Sequence, residues 1–140
     1  MMLTTTERPV TTTRRRKVAY WAATGFAAFG FVAVGTADLL RVPQVMDGLT
    51  HLGYPPYFAT ILGLWELLGA AAIVANGLQP VKEWAYAGMF FTLTGAALSH
   101  AVSGDPLIKI IAPLVLLVAV VASAALRPAR EARSRDRQFA

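Results

Sequence analysis

The residue best placed for chemistry is Glu66, a carboxylic acid in the middle of an apolar run from Tyr57 to Ala75. At about 1.5 Å per residue, that run is long enough to cross a bilayer as a helix. An ionisable side chain at this depth costs about 2.5 kcal/mol or more, so it normally faces protein or a water-filled cavity. We therefore expect Glu66 to be protonated inside a helical bundle and to hydrogen-bond a neighbouring helix or a ligand.

Several other polar or aromatic residues are candidates for ligand binding or proton relay near Glu66. If its helix begins at Tyr57, Glu66 lies about 13 Å below the outer surface. The further candidates are His51, His100, Asp38, Arg41 and Trp65. We expect an outward-opening polar pocket with Glu66 near its floor, in which histidines and carboxyl groups can exchange protons. For the two histidines, hydrogen bonding at the membrane interface is the competing interpretation.

Other kinds of site find no support in the sequence. There is no cysteine, and the two histidines are far apart without a metal-ligand spacing, so no metal site is predicted. Neither a Gly-rich phosphate loop nor a serine-hydrolase elbow occurs, and no catalytic residue is assigned. Basic flanks beside apolar spans account for the positive charge, so no nucleic-acid partner is expected.

The composition is that of a membrane protein. Hydrophobic residues make up 56% of the 140 residues and charged residues only 15%, whereas a soluble domain carries about 25% charged residues. The lipid bilayer is therefore the expected surrounding of the chain.

Hydropathy and helix-breaking residues predict an all-α fold, a four-helix transmembrane bundle with a short interfacial segment between the first and second helices. A cleaved signal peptide is the alternative for the first span, but three further spans favour a retained helix. The predicted parts are a disordered basic tail (1–17), a transmembrane domain (18–126) with spans at 18–40, 57–75, 81–101 and 107–126, and a basic tail (127–140).

Arginine and lysine are concentrated at the two ends of the chain. The positive-inside rule places such ends in the cytoplasm. We therefore expect a multi-pass protein of the cell (inner) membrane with both termini cytoplasmic.

Small residues at helical spacing predict which faces pack together. On the second span, Gly63 and Glu66 share one stripe with Ala59 and Ala70. A stripe with the same offsets on the third span contains Gly88, Thr92, Gly95 and Ser99. Because small residues let membrane helices approach closely, both stripes are expected to face the bundle interior, with Gly95 against another helix.

Several blocks of sequence, in the same order, resemble the DoxX-like family of bacterial membrane proteins. They are Asp38-Leu39-Leu40-Arg41, Leu49-Thr50-His51-Leu52-Gly53-Tyr54-Pro55, Gly63-Leu64-Trp65-Glu66-Leu67-Leu68-Gly69, Lys82-Glu83-Trp84-Ala85-Tyr86-Ala87-Gly88 and Leu93-Thr94-Gly95-Ala96-Ala97-Leu98-Ser99-His100. The resemblance implies a four-helix membrane bundle. Relatives in the wider DoxX group are associated with quinone-linked oxidoreductase complexes.

Two functions follow as hypotheses. The first is an accessory or quinone-binding subunit of a membrane redox system, in which Glu66 exchanges a proton and Trp65 lines the pocket. No intrinsic cofactor is expected, so electrons would come from a redox partner protein or a diffusible quinone. The second is a non-enzymatic transporter or membrane assembly factor with a structural Glu66. Assembly as a homo-oligomer is compatible with both.

Overall fold

The chain is entirely helical in the part that the structure describes. A computed structural model covers residues 10–128 and contains no strand in that range. Its five helices are α1 (Val10–Leu39), α2 (Pro43–His51), α3 (Tyr57–Val74), α4 (Gln79–Val102) and α5 (Leu107–Leu126). The prediction of an all-α fold is confirmed, and the short α2 lies in the segment that was expected to be interfacial.

The four long helices pack as a bundle in which each contacts two others. Helix α1 packs against α3 and α5, and α4 packs against the same two helices. Their facing side chains form one apolar core, made of Ala27, Phe31, Ala70, Ile73, Tyr86, Met89, Leu93 and Val120.

Three of the helices are long and apolar enough to cross a membrane. The candidate spans are Arg14–Leu39, Tyr57–Val74 and Leu107–Leu126. Helix α4 has the length, since its 24 residues rise about 36 Å. However, charged and hydroxyl side chains such as Lys82, Glu83 and Thr92 lower its apolarity. Among the described residues, the structure therefore supports three of the four predicted spans by length and composition, with α4 packed among them.

Helix α1 begins earlier than predicted. Residues 10–17, which were assigned to the N-terminal tail, are helical, while residues 1–9 lie outside the described range. Arginine and lysine are good helix formers, and adding residues to an existing helix avoids the cost of nucleation. The basic segment can therefore continue the apolar helix beyond the span. Most of the predicted C-terminal tail, residues 129–140, is likewise outside the described range.

Three helices end in the same type of turn. The residue after the last helical turn adopts a positive φ at Arg41 (52°), Gly53 (83°) and Gly104 (69°). In each case the next amide donates back across five residues, as in the bond from Asp105 N to His100 O (3.0 Å). This is the Schellman arrangement, which normally requires glycine. The turn at Arg41 directs the chain from α1 into α2, and the turn at Gly104 places Asp105 beside His100.

Helices α1 and α3 approach each other closely at two glycines. A Cβ added to Gly63 would lie 2.6 Å from Gly35 O and 3.0 Å from Asp38 Cβ. A Cβ added to Gly35 would lie 3.0 Å from both Gly63 O and Glu66 Cβ. Each glycine therefore packs against the backbone and the acidic residue of the other helix.

The glycines of α4 do not pack in this way. A Cβ added at Gly88 or Gly95 would meet no atom within 4 Å, and both residues are exposed. The helix-packing prediction is therefore wrong for these two positions within the single chain, because the stripe that contains them is rotated away from the buried face. Thr92 and Ser99 of that stripe are half-buried. The buried face of α4 carries Lys82, Tyr86, Met89, Leu93 and Ala97.

We expect Gly63→Ala to lower the melting temperature in detergent, whereas Gly95→Ala should leave it unchanged or raise it. Both changes gain about 1 kcal/mol of helix propensity, but only Gly63→Ala adds an overpacking cost of about 1–3 kcal/mol. The difference between the two variants in thermal unfolding therefore measures the contact at the glycine crossing. Equal shifts for the two variants would contradict the close approach.

Candidate functional site

A large cavity lies at the end of the bundle covered by α2. Its volume is about 830 Å³, and all five helices contribute to its wall. Apolar side chains such as Val34, Leu52, Phe58, Phe91 and Leu116 form much of the lining. The polar groups are contributed by Asp38, Gln44, Tyr54, Glu66, Thr92, Ser99, His100 and Lys109. A mostly apolar cavity with a few polar groups is typical of a small-molecule site.

Two acidic side chains from different helices meet at this cavity. Asp38 of α1 is 3% exposed and Glu66 of α3 is 8% exposed, and Asp38 is the ionisable side chain that approaches Glu66. Each acid follows its glycine, Gly35 or Gly63, by three residues, which places acid and glycine on one face of the helix. The close approach of the two glycines therefore brings the two acids together.

One oxygen of Glu66 is buried without a partner. Glu66 Oε2 accepts no hydrogen bond from a described donor, and Asp38 is the side chain that hydrogen-bonds the Glu66 carboxyl group. Arg41, the nearest cation along α1, donates instead to Thr60 Oγ1 at 3.3 Å. The acid pair is therefore not neutralised by Arg41, and Glu66 keeps the capacity to make a hydrogen bond with a molecule in the cavity.

The two histidines converge on a single carboxylate above the cavity. His100 Nδ1 lies 2.7 Å from Asp105 Oδ2, and His51 Nε2 lies 3.2 Å from Asp105 Oδ1. Lys109 Nζ donates to the same Oδ1 at 3.1 Å. Tyr54 and Ser99 hydrogen-bond nearby at 2.8 Å between their hydroxyl oxygens. These contacts connect α2 and the residues just after it to α4 and to the turn before α5.

The structure therefore separates the predicted site residues into two groups. Asp38 and Glu66 lie together at the cavity, while His51 and His100 meet at Asp105, a residue that was not selected from the sequence. Arg41 bonds to Thr60 and joins neither group. Across the described range, no group of three or more His, Asp or Glu side chains has a geometry suited to a metal ion.

Trp65 lies outside the large cavity. Its side chain is 67% exposed, and it lines a smaller cavity of about 330 Å³ between α3 and α4. Trp84, Gly88 and Met89 lie on the α4 side of this cavity. Glu66 lines both cavities, so the groove between α3 and α4 leads from an exposed aromatic surface to the acid.

A second polar cluster, at the other end of the bundle, was missed from the sequence. Tyr86 Oη lies 2.7 Å from Ser123 Oγ, and Ser123 Oγ lies 2.6 Å from Thr24 Oγ1. Thr24 in turn donates to Tyr20 O at 2.7 Å. Lys82, one turn before Tyr86, is only 2% exposed. Lys82, Tyr86, Met89 and Leu93 follow one another at offsets of four, three and four residues, which is the spacing of a single helix face. This pattern could have indicated from the sequence that Lys82 is buried.

The surroundings of Asp105 lower the pKa of its carboxyl group from 3.8 to about 2. The main cause is the hydrogen bond between His100 and the carboxylate, and Lys109 and the charge of His51 lower the pKa further. Since the folded-state pKa is the lower one, the carboxylate stabilises the fold above pH 3.8, and this contribution disappears as the pH falls towards 2.

We therefore expect the melting temperature of the parent protein to decrease between about pH 4 and pH 2, and expect Asp105→Asn to reduce that decrease. Asp47→Asn, which changes an exposed acid of α2, is the control and should keep the parental pH profile. Identical profiles for all three proteins would show that the Asp105 cluster does not stabilise the fold.

Comparison with known proteins identifies the family. No curated protein and no solved structure matches the chain. The model of the DoxX-like family matches residues 22–123, a range that includes Asp38, Glu66, Lys82, His100, Asp105 and most of the helical bundle. Because the match spans well over half of the chain, the protein belongs to the DoxX-like family.

Proposed function

We propose that this DoxX-like membrane protein is an accessory subunit of a membrane redox system and binds a quinone in the cavity that contains Glu66. The observation that carries the proposal is the buried, unpartnered Glu66 Oε2 in a mostly apolar cavity of about 830 Å³. Cavities of about 300–1,000 Å³ suit small organic ligands, and a quinone combines an apolar ring with polar carbonyl oxygens.

The acid pair supplies the chemistry that a quinone requires of its protein. In its protonated form, Glu66 can donate a hydrogen bond to a quinone carbonyl oxygen. Reduction of a quinone to a quinol consumes two electrons and two protons. Glu66 and Asp38 can hold and transfer protons, whereas the electrons must come from a redox partner protein, since no side chain here carries them.

The walls of the cavity favour binding over passage through the bundle. The apolar core that includes Ala27, Phe31, Ile73 and Val120 lies between the acid pair and the polar cluster around Tyr86. A polar substrate would therefore have to cross a packed apolar layer. An apolar ring can instead approach from the bilayer along the groove between α3 and α4, where Trp65 and Trp84 are exposed.

The proposed orientation places the cavity at the outer face of the bacterial inner membrane. Basic residues at both ends of the chain favour cytoplasmic termini. This requires α4 to cross the bilayer as a fourth span. Its length and its packing against α3 and α5 are compatible with crossing, and its polar side chains Lys82 and His100 lie near its two ends.

The non-enzymatic alternative also has an observation in its favour. Asp38 and Glu66 lie where α1 and α3 approach most tightly around Gly35 and Gly63. In an assembly factor, a proton shared by the two acids would fix the register of these helices. A structural role requires only hydrogen bonding, whereas a role in quinone chemistry also requires proton exchange, and this difference separates the two functions.

The topology is tested with reporter fusions after Pro128 and within residues 43–51. We expect a cytoplasmic signal from the first fusion and an outer signal from the second, because four crossings return the chain to its starting side. Outward signals from both fusions would show that α4 does not cross the membrane, and an outward signal after Pro128 alone would reverse the proposed orientation.

The ligand is tested by thermal unfolding of the purified protein during titration with a short-chain quinone. At about 100 times the dissociation constant, binding should stabilise the parent protein by about 2.7 kcal/mol. Glu66→Gln should keep the fold and the binding, since the amide can still donate a hydrogen bond, but should abolish any quinone-dependent turnover. Glu66→Leu should lose binding and destabilise the fold by about 1–2 kcal/mol, the scale of a membrane hydrogen bond.

Asp47→Asn is again a suitable control, because it removes an exposed acid outside the cavity lining. Stabilisation by quinone that is equal in the parent and Glu66→Leu would place the ligand elsewhere. A parent protein that saturating quinone does not stabilise would favour the structural alternative.

A further inference from the structure

The end of the bundle opposite the cavity that contains Glu66 has buried donor side chains with few acceptors among the described residues. Lys82 is 2% exposed and makes no hydrogen bond or ion pair with another described residue. Gln79 Nε2 is also buried without a partner, while Gln79 Oε1 accepts a hydrogen bond from Arg127 Nη1 at 3.4 Å. A lysine that is so little exposed is rarely found unpaired, so an acceptor that Lys82 and Gln79 share would stabilise this end of the bundle.

The charges of the described residues around Lys82 and Gln79 favour an anionic acceptor. The basic side chains described at this end are Arg14, Arg15, Arg16, Lys17, Lys82 and Arg127. Glu83 is the acid described near them; it lies 3.7 Å from Arg127 Nη2, and its side chain is 65% exposed. It therefore does not neutralise Lys82, and an uncompensated ammonium group would carry a large desolvation cost.

We propose that this end of the bundle binds a phosphate group through Lys82, Gln79 and Arg127. A phosphate presents several oxygen acceptors to these three side chains, and both lysine and arginine bind phosphate well. Helix α4 begins at Gln79 without a side-chain cap, so its first free amide groups add a positive field at the same place.

The surrounding contacts hold the donors in place. The Arg127 guanidinium lies 5.6 Å from the centre of the Tyr86 ring, and Arg16 Nη2 donates to Ala125 O and Arg127 O at 3.4 and 3.5 Å. Tyr86 is fixed in turn by its bond to Ser123. The phosphate can belong to an anionic lipid headgroup, which would fix the bundle at the membrane interface, or to a soluble phosphate.

The test uses the full-length protein in an uncharged detergent. Its melting temperature is followed during separate titrations with short-chain phosphatidylglycerol, short-chain phosphatidylcholine and sodium phosphate, with sodium chloride at matched ionic strength as the reference. We expect a saturable increase with phosphatidylglycerol, with sodium phosphate, or with both. An increase with phosphate identifies a soluble phosphate as sufficient, whereas an increase with phosphatidylglycerol alone identifies the lipid headgroup.

Lys82→Met should raise the half-saturating concentration about tenfold, because it removes a charge-assisted hydrogen bond. Lys17→Met removes the same charge from an exposed site at the same end and should behave like the parent. If Lys82→Met does not fold, Gln79→Met removes a donor without changing the charge and should also weaken binding. Absence of a saturable increase in the parent, or equal half-saturation for the parent and the folded Lys82 or Gln79 variant, would overturn the proposal.

Discussion

The contact on which the proposed quinone site depends is the one between the backbones of α1 and α3. At Gly35 and Gly63 the two helices leave no room for a side chain, and this distance is accessible only to residues without a Cβ. Because Asp38 and Glu66 each follow one of these glycines by three residues, the same contact also decides that two acids share one wall of the cavity. Packing and chemistry are therefore coupled: a change that separates the helices also separates the carboxyl groups.

The apolar core separates two polar regions of the bundle, one with several carboxyl groups and the other with a lysine and several hydroxyl groups. One contains Asp38 and Glu66 and ends in the Asp105 cluster, where His51, His100 and Lys109 surround one carboxylate. The other contains Lys82 and the hydroxyl chain from Tyr86 through Ser123 to Thr24. Between them lie residues such as Ala27, Ile73 and Val120, each at most 1% exposed. These described apolar side chains therefore separate the two polar regions.

Much of the fold could be predicted from the sequence, because apolar length and helix-terminating residues are local signals. The bounds of α3, α4 and α5 lie within two residues of the predicted spans. The stripe of Ala59, Gly63, Glu66 and Ala70 is buried, but the stripe of Gly88 and Gly95 is not. Small size permits close packing without requiring it, and the choice depends on how α4 is rotated by Tyr86, Met89 and Leu93. Lys82 was missed for a similar reason, since a lysine near a helix end is normally solvated.

The two ends of the bundle differ in whether their buried charged side chains pair with other described residues. Asp105 gathers its three partners from α2, α4 and α5 because the positive-φ turns at Gly53 and Gly104 close those segments over the cavity. The Asp105 cluster is therefore internally compensated, and the proposed ligand would need to supply only a hydrogen-bonding group for Glu66. At the other end, Lys82 and Gln79 Nε2 face a surplus of cations, and α4 begins without a side-chain cap. The proposed phosphate would balance the charges of these described residues. A membrane interface, where phosphate groups are abundant, is one surrounding that offers such a group.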